Sequence, residues 1–151
     1  MVARNDMARR RAGRRLLAAI LGLFGALYVA AVGALYVKQR EMVFNASQAI
    51  HRANELNLPG FRDATIETRD GERLVALYRP ADPGRPTVLY FHGNSGTMPR
   101  ISRRLRALAA EGFGVLAPTY RGYNGSTGTP TEEGLAEDAR ASFDWLARTA
   151  P

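Results

Sequence analysis

Two short stretches hold residue types that can do acid–base or nucleophilic chemistry. In Tyr90-Phe91-His92-Gly93-Asn94-Ser95-Gly96 a histidine and a serine share a turn punctuated by glycine, and in Tyr120-Arg121-Gly122-Tyr123-Asn124-Gly125-Ser126-Thr127-Gly128 a second serine lies among glycines. His92 and Ser95 are too close along a tight turn to align a nucleophile with its base, and no third group nearby in sequence orients His92. No Gly-Lys-Ser/Thr follows Gly93, so the first stretch is not a nucleotide-binding P-loop. The glycines around Tyr123 lack the spacing of a dinucleotide fingerprint. What the first stretch does offer is backbone. A turn between a strand and a helix points its N–H groups outward, where they receive negative charge.

The elements that must position these stretches follow from apolar spacing. Thr87-Val88-Leu89-Tyr90-Phe91 is a short apolar run rich in β-forming side chains, expected as a strand covered on both faces. Ile101, Leu105, Leu108 and Ala109 then space as a helix, with Arg100, Arg103, Arg104 and Arg106 on its solvated face and Gly112 at its end. Phe113 to Pro118 reads as a second buried strand. Thr131-Glu132-Glu133-Gly134 opens another helix, whose early glutamates suit the macrodipole. Upstream, Thr65–Thr68 and Arg73–Tyr78 flank Asp70-Gly71 and predict a β-hairpin. Strand, helix, strand, helix after a hairpin means an α/β architecture with parallel strands joined by crossover helices. On such sheets ligands bind beyond the carboxyl ends of the strands, where both glycine-rich stretches emerge.

The first forty residues have another character. Leu16 to Val37 is uncharged and almost wholly apolar; as a helix it would be about 33 Å long, enough to cross a bilayer core of roughly 30 Å. It exceeds the usual h-region of a cleaved secretory signal, although Ala31-Val32-Gly33-Ala34 carries the small residues a signal peptidase accepts. Residues 1–15 hold six arginines against Asp6, and most of the chain's net charge of +7 is concentrated there. The positive-inside rule places that tail in the cytoplasm and residues after Val37 across the membrane, on a periplasmic or other extracytoplasmic side. The weak remaining charge argues against a nucleic-acid partner. The expected organisation is a basic cytoplasmic tail (1–15), a transmembrane helix (16–37), a connector (38–60), helical as far as Leu58 and closed by Pro59-Gly60, and an α/β region (61–151). His51 stands alone in the connector, without a metal-binding companion. With no cysteine the chain can form neither a disulfide framework nor a Cys-rich zinc site.

Taken together, Tyr90-Phe91-His92-Gly93-Asn94-Ser95-Gly96, Tyr120-Arg121-Gly122-Tyr123, Thr131-Glu132-Glu133-Gly134-Leu135, Asp138 and Trp145-Leu146 resemble the membrane-anchored branch of the α/β-hydrolase superfamily. The likeness covers nearly all of the chain after the span. It departs at Asn124, where such proteins often have glycine, and at Thr119, where aspartate is frequent. The resemblance implies a serine hydrolase, free of cofactor and metal, that acts on ester or thioester bonds of lipid or small-molecule substrates next to a bilayer. It implies that Asn94 supplies a backbone N–H to the oxyanion hole while His92, Gly93 and Gly96 shape the loop. The nucleophile elbow of such enzymes needs G-x-S-x-G between a strand and a helix, with the acid and histidine later. None of these occurs within the 151 residues; Gly125-Ser126-Thr127-Gly128 is the nearest miss. The expectation is an N-terminal portion of the enzyme, inactive alone, with an unpaired sheet edge. The alternatives are a non-catalytic membrane-anchored α/β protein used for binding or assembly and, from the basic residues, a nucleic-acid binder.

Overall fold

The computed structural model describes residues 2–44, 49–93 and 98–150. The chain divides into two units, Met1–Val43 and Phe44–Pro151. The first is one α-helix, α1 (Val2–Val43). Its segment Gly13–Gln39 is long and apolar enough to cross a membrane, and its residues are exposed.

In the second unit the predicted hairpin forms. β1 (Arg62–Glu67) and β2 (Arg73–Arg79) pair antiparallel with Thr65 opposite Val75. β3 (Thr87–Leu89) follows, then α2 (Met98–Ala110), β4 (Gly114–Pro118) and α3 (Glu132–Thr149). β3 and β4 are parallel, with Val88 beside Val115, while β4 pairs antiparallel with β2. The resulting sheet has the order β1-β2-β4-β3. β4 is buried throughout, whereas β3 lies at an edge with its residues half-buried.

The two-residue period of the strands assigns each helix a face. Leu77, Val115 and Ala117 pack with Met98, Ile101 and Leu105 of α2. Their neighbours Ala76, Tyr78 and Leu116 point the other way, into a cluster with Ile66, Leu74 and Ala141 of α3. Trp145 meets the Tyr78 ring edge-on at 5.2 Å. Each helix has a definite terminus. At the end of α2, Gly112 (φ +84°) donates to the Ala109 carbonyl at 3.0 Å and Phe113 to that of Leu108 at 3.2 Å, the paired bonds of a Schellman cap. Thr131 caps α3 by accepting the Gly134 N–H at 3.0 Å.

The region before β1 differs from the helical connector expected over Lys38–Leu58. α1 continues through Lys38 and ends at Val43; residues 52–60 form turns. Asp63 accounts for the change. Its carboxylate accepts the Ala53 N–H at 3.0 Å and the Arg52 guanidinium at 3.4 Å, tying this segment to β1. Asn57 takes a left-handed conformation (φ +49°) ahead of Pro59, which a helix would not accommodate. Along this segment Ala53 is buried, Met42, Val43 and Ile50 are exposed, and residues 45–48 lie outside the described residues.

Candidate functional site

The carboxyl ends of the two parallel strands supply the site. Beyond Leu89 the Tyr90 N–H still donates to the Leu116 carbonyl at 2.8 Å, so β3 tracks β4 until the turn begins. Phe91 then stacks on Tyr120 at 5.5 Å between centroids, with the planes 14° apart. His92 is buried, its ring 5.1 Å from that of Tyr120 and 5.5 Å from that of Tyr123. The stretches singled out in the sequence, thirty residues apart, therefore touch.

His92 Nδ1 lies 2.9 Å from the Gly93 carbonyl. A carbonyl oxygen only accepts, so Nδ1 carries a proton and donates. Nε2 is buried without a hydrogen-bond partner among the described residues. A Cβ placed on Gly93 would meet nothing within 4 Å among them. Asn94, Ser95 and Gly96 lie outside the described residues.

The loop between β4 and α3 is held by hydrogen bonds that account for its serine. Ser126 Oγ accepts the Val75 N–H at 2.9 Å and lies 2.7 Å from Thr119 Oγ1, which donates to the Val75 carbonyl at 2.8 Å. Both hydroxyls are buried. Ser126 is thus a structural hydroxyl bridging the loop to β2, and Thr119, where aspartate is frequent in the resembling proteins, is the other half of the bridge. Thr127 extends the same contact: its N–H donates to the Arg73 carbonyl at 3.0 Å, and its Oγ1 accepts the Arg73 N–H at 2.8 Å. Asn124 and Gly125 have consecutive positive φ angles, +50° and +87°, and the Ser126 N–H closes the turn on the Tyr123 carbonyl at 2.9 Å. Asparagine tolerates this backbone where glycine is common, so the departure at Asn124 leaves the turn intact.

Sequence reasoning missed the group that fixes the loop to the rest of the unit. The Arg121 N–H and Nε both donate to the Asp138 carboxylate at 2.9 Å, and its two terminal nitrogens reach Asp70 at 2.7 and 3.1 Å. Arg121 and Asp138 are buried; Asp70 is half-exposed at the hairpin turn. The hydrogen bonds from Arg121, and then one from Thr68, lower the Asp70 carboxyl to a pKa of about 2. The same carboxylates, Asp70 first, raise the Arg121 guanidinium. Burial raises the Tyr120 and Tyr123 phenols, and the Asp138 charge adds to the effect at Tyr120. One hint was legible. Gly134 and Asp138 are spaced to lie on one side of a helix, and a Cβ on Gly134 would come within 2.7–2.8 Å of the Arg121 side chain.

No family profile matches the chain. It is 38% identical over 115 residues to an uncharacterized protein of Mycobacterium tuberculosis, covering 75% of this chain and 41% of that one. It is 31% identical to the alpha/beta hydrolase domain-containing protein WAV2 of Arabidopsis thaliana, over 82% of this chain and 43% of the relative. A 63-residue stretch is 40% identical to the lysophosphatidylserine lipase ABHD12 of Xenopus tropicalis, covering 40% of this chain and 16% of that protein. Among solved structures, an alpha-beta hydrolase from Vibrio vulnificus superposes with a TM-score of 0.62 at 22% identity, over 76% of this chain and 43% of the other. The esterase Pf2001 of Pyrococcus furiosus gives 0.57 at 20% identity, over 70% and 41%. The sheet order, the two flanking helices and these likenesses define part of an α/β-hydrolase fold. The chain belongs to the α/β-hydrolase superfamily, and it spans less than half the length of the curated relatives it matches.

Proposed function

We propose that the chain is the membrane-anchored amino-terminal part of a serine hydrolase that cleaves ester or thioester bonds of lipid-like or small substrates. The observation that carries this reading is the convergence at the carboxyl ends of β3 and β4, where the His92 ring packs against Tyr120 and Tyr123 and a Cβ on Gly93 would meet nothing within 4 Å among the described residues. In this reading the Asn94 N–H is the first oxyanion donor, and the second comes from the residue after the nucleophile. Nucleophile, acid and general base belong to sequence beyond residue 151. In this reading His92 holds the turn through Gly93 and is not the general base. Gly93 and Gly96 are loop-shaping residues in this reading.

The anchor is residues 16–37, with residues 1–15 cytoplasmic, 38–60 a connector, and the hydrolase region on the far side of the membrane. The apolar segment of α1, exposed along its whole length, supports the anchor, and the flanking arginines support the orientation. The names of two of the similar proteins, a lysophosphatidylserine lipase and an esterase, support ester substrates.

The test is fluorophosphonate labelling of the full-length gene product in membranes, alongside turnover of p-nitrophenyl acyl esters and acyl thioesters. The full-length protein should label at one serine and turn over substrate, and the 151-residue chain alone should do neither. A full-length protein that neither labels nor hydrolyses any of these substrates would overturn the proposal.

A further inference from the structure

The two helices on opposite faces of the sheet carry opposite charge. α2 holds Arg100, Arg103, Arg104 and Arg106, all exposed, and no acidic residue. α3 holds five carboxylates against two arginines. Several of the α3 carboxylates are neutralised within the fold: Asp138 by Arg121, and Glu137 and Asp144 by Arg69. Three of the four α2 cations have no carboxylate at ion-pair distance among the described residues. Arg103 has no ion-pair partner among the described residues, Arg104 donates to the neutral Tyr90 hydroxyl at 3.1 Å, and Arg106 donates to the Ser102 hydroxyl at 3.4 Å. Because α2 packs against one face of the sheet and α3 against the other, the globular unit is electrically polarised through its thickness. At 100° per residue the four arginines and Ala107 share the solvent arc of α2, opposite Ile101 and Leu105, on a helix about 20 Å long.

We infer that the exposed face of α2 docks on the headgroups of anionic phospholipids in the membrane that holds the chain. The inference rests on the anchored reading proposed above. A bilayer suits this surface better than a nucleic acid. The arc is an even spread of cations with no aromatic side chain on the helix to stack on bases, and the same chain carries a segment able to cross a membrane. Each arginine near an anionic leaflet strengthens attachment roughly fivefold, and the effect fades within a Debye length. α2 begins five residues after Gly93 in the chain, so docking would bring this end of the sheet close to the lipid that supplies substrate.

The chain has no cysteine, so Ala107→Cys, on the exposed arc, gives one attachment point for a fluorophore. The labelled full chain is reconstituted in nanodiscs of phosphatidylcholine alone or mixed equally with phosphatidylglycerol, each with a headgroup-borne quencher. At low salt the quenching should be several-fold stronger in the anionic discs, and it should fall to the zwitterionic level at about 1 M salt, where the Debye length is ~3 Å. Arg103→Gln with Arg104→Gln should remove most of the contrast; the salt titration needs no variant at all. Equal quenching in both lipids, or contrast indifferent to salt, overturns the docking. Stronger protection of the label by a short DNA or RNA duplex than by anionic discs overturns it in favour of a nucleic-acid surface. Co-elution of chain and disc reports on the anchor separately. A chain that never enters discs of either lipid overturns the anchored reading and this inference with it, whereas one that enters without contrast overturns the docking alone.

Discussion

One carboxylate holds both the main chain and the side chain of Arg121. Asp138 Oδ2 accepts the Arg121 N–H and Oδ1 accepts Nε, each at 2.9 Å. The backbone just after β4 is thereby fixed to the second turn of α3, and the guanidinium is left aimed at Asp70 in the hairpin turn. Tyr120 and Tyr123, which wall His92, flank this clamp in sequence, so the shape of the candidate site depends on an ion cluster that never touches it.

Gly134→Ala sets two effects against each other. Alanine is favoured over glycine in a helix by about 1 kcal/mol. Its Cβ, however, would lie 2.7–2.8 Å from an Arg121 side chain held by two carboxylates and unable to swing away. The strain term is larger, and the variant should be destabilised by about 1–3 kcal/mol. Urea unfolding followed through Trp145, the only tryptophan, measures it; a more stable variant would refute the clamp.

The Asp70 carboxyl titrates at about 2 in the folded protein against 3.8 for the free group. A depressed folded pKa contributes stability that is present above the unfolded value and is lost as pH falls through the folded one. The globular unit should therefore lose stability between about pH 4 and pH 2. Asp70→Asn should be less stable at neutral pH and show a shallower acid limb, read from unfolding midpoints across that range.

At Asn124 the backbone is left-handed. Asn124→Gly should fold with a stability within about 1 kcal/mol of the parent, while Asn124→Val should lose about 2 kcal/mol, since a β-branched side chain is strained there. Thermal melts of the two variants would separate a backbone requirement from a side-chain one.

Asn94→Pro removes the proposed oxyanion donor and leaves the side chains around it unchanged. In the full-length enzyme kcat should fall about 10²–10³-fold with KM little altered, and Asn94→Ala, which keeps the N–H, should retain activity within about tenfold. Loss of activity in both variants alike would mean that the side chain, and not the amide, matters. His92→Gln, with a side chain still able to donate to the Gly93 carbonyl, should outperform His92→Ala.

Much of the fold was legible because it is written at short range. The alternation of Leu74, Ala76 and Tyr78 with Val75 and Leu77, the helical spacing of Ile101, Leu105 and Leu108, the Asp70-Gly71 turn and the apolar run from Leu16 to Val37 each concern residues a few positions apart, where backbone geometry alone sets which side chains share a face. The fate of Ser126, Thr119 and Arg121 could not be read that way. Ser126 reaches across 51 residues to Val75, and Arg121 the same distance to Asp70. Those meetings exist only because β4 inserts between β2 and β3, an order set by how two apolar faces are buried at once. Likewise, Asp63 turned an expected helical connector into a set of turns by capturing Ala53 and Arg52 from ten and eleven residues away. Local spacing selects the elements, because it acts through bonds already made. The partners of buried charges and hydroxyls wait on packing, because only the assembled sheet brings their far ends together.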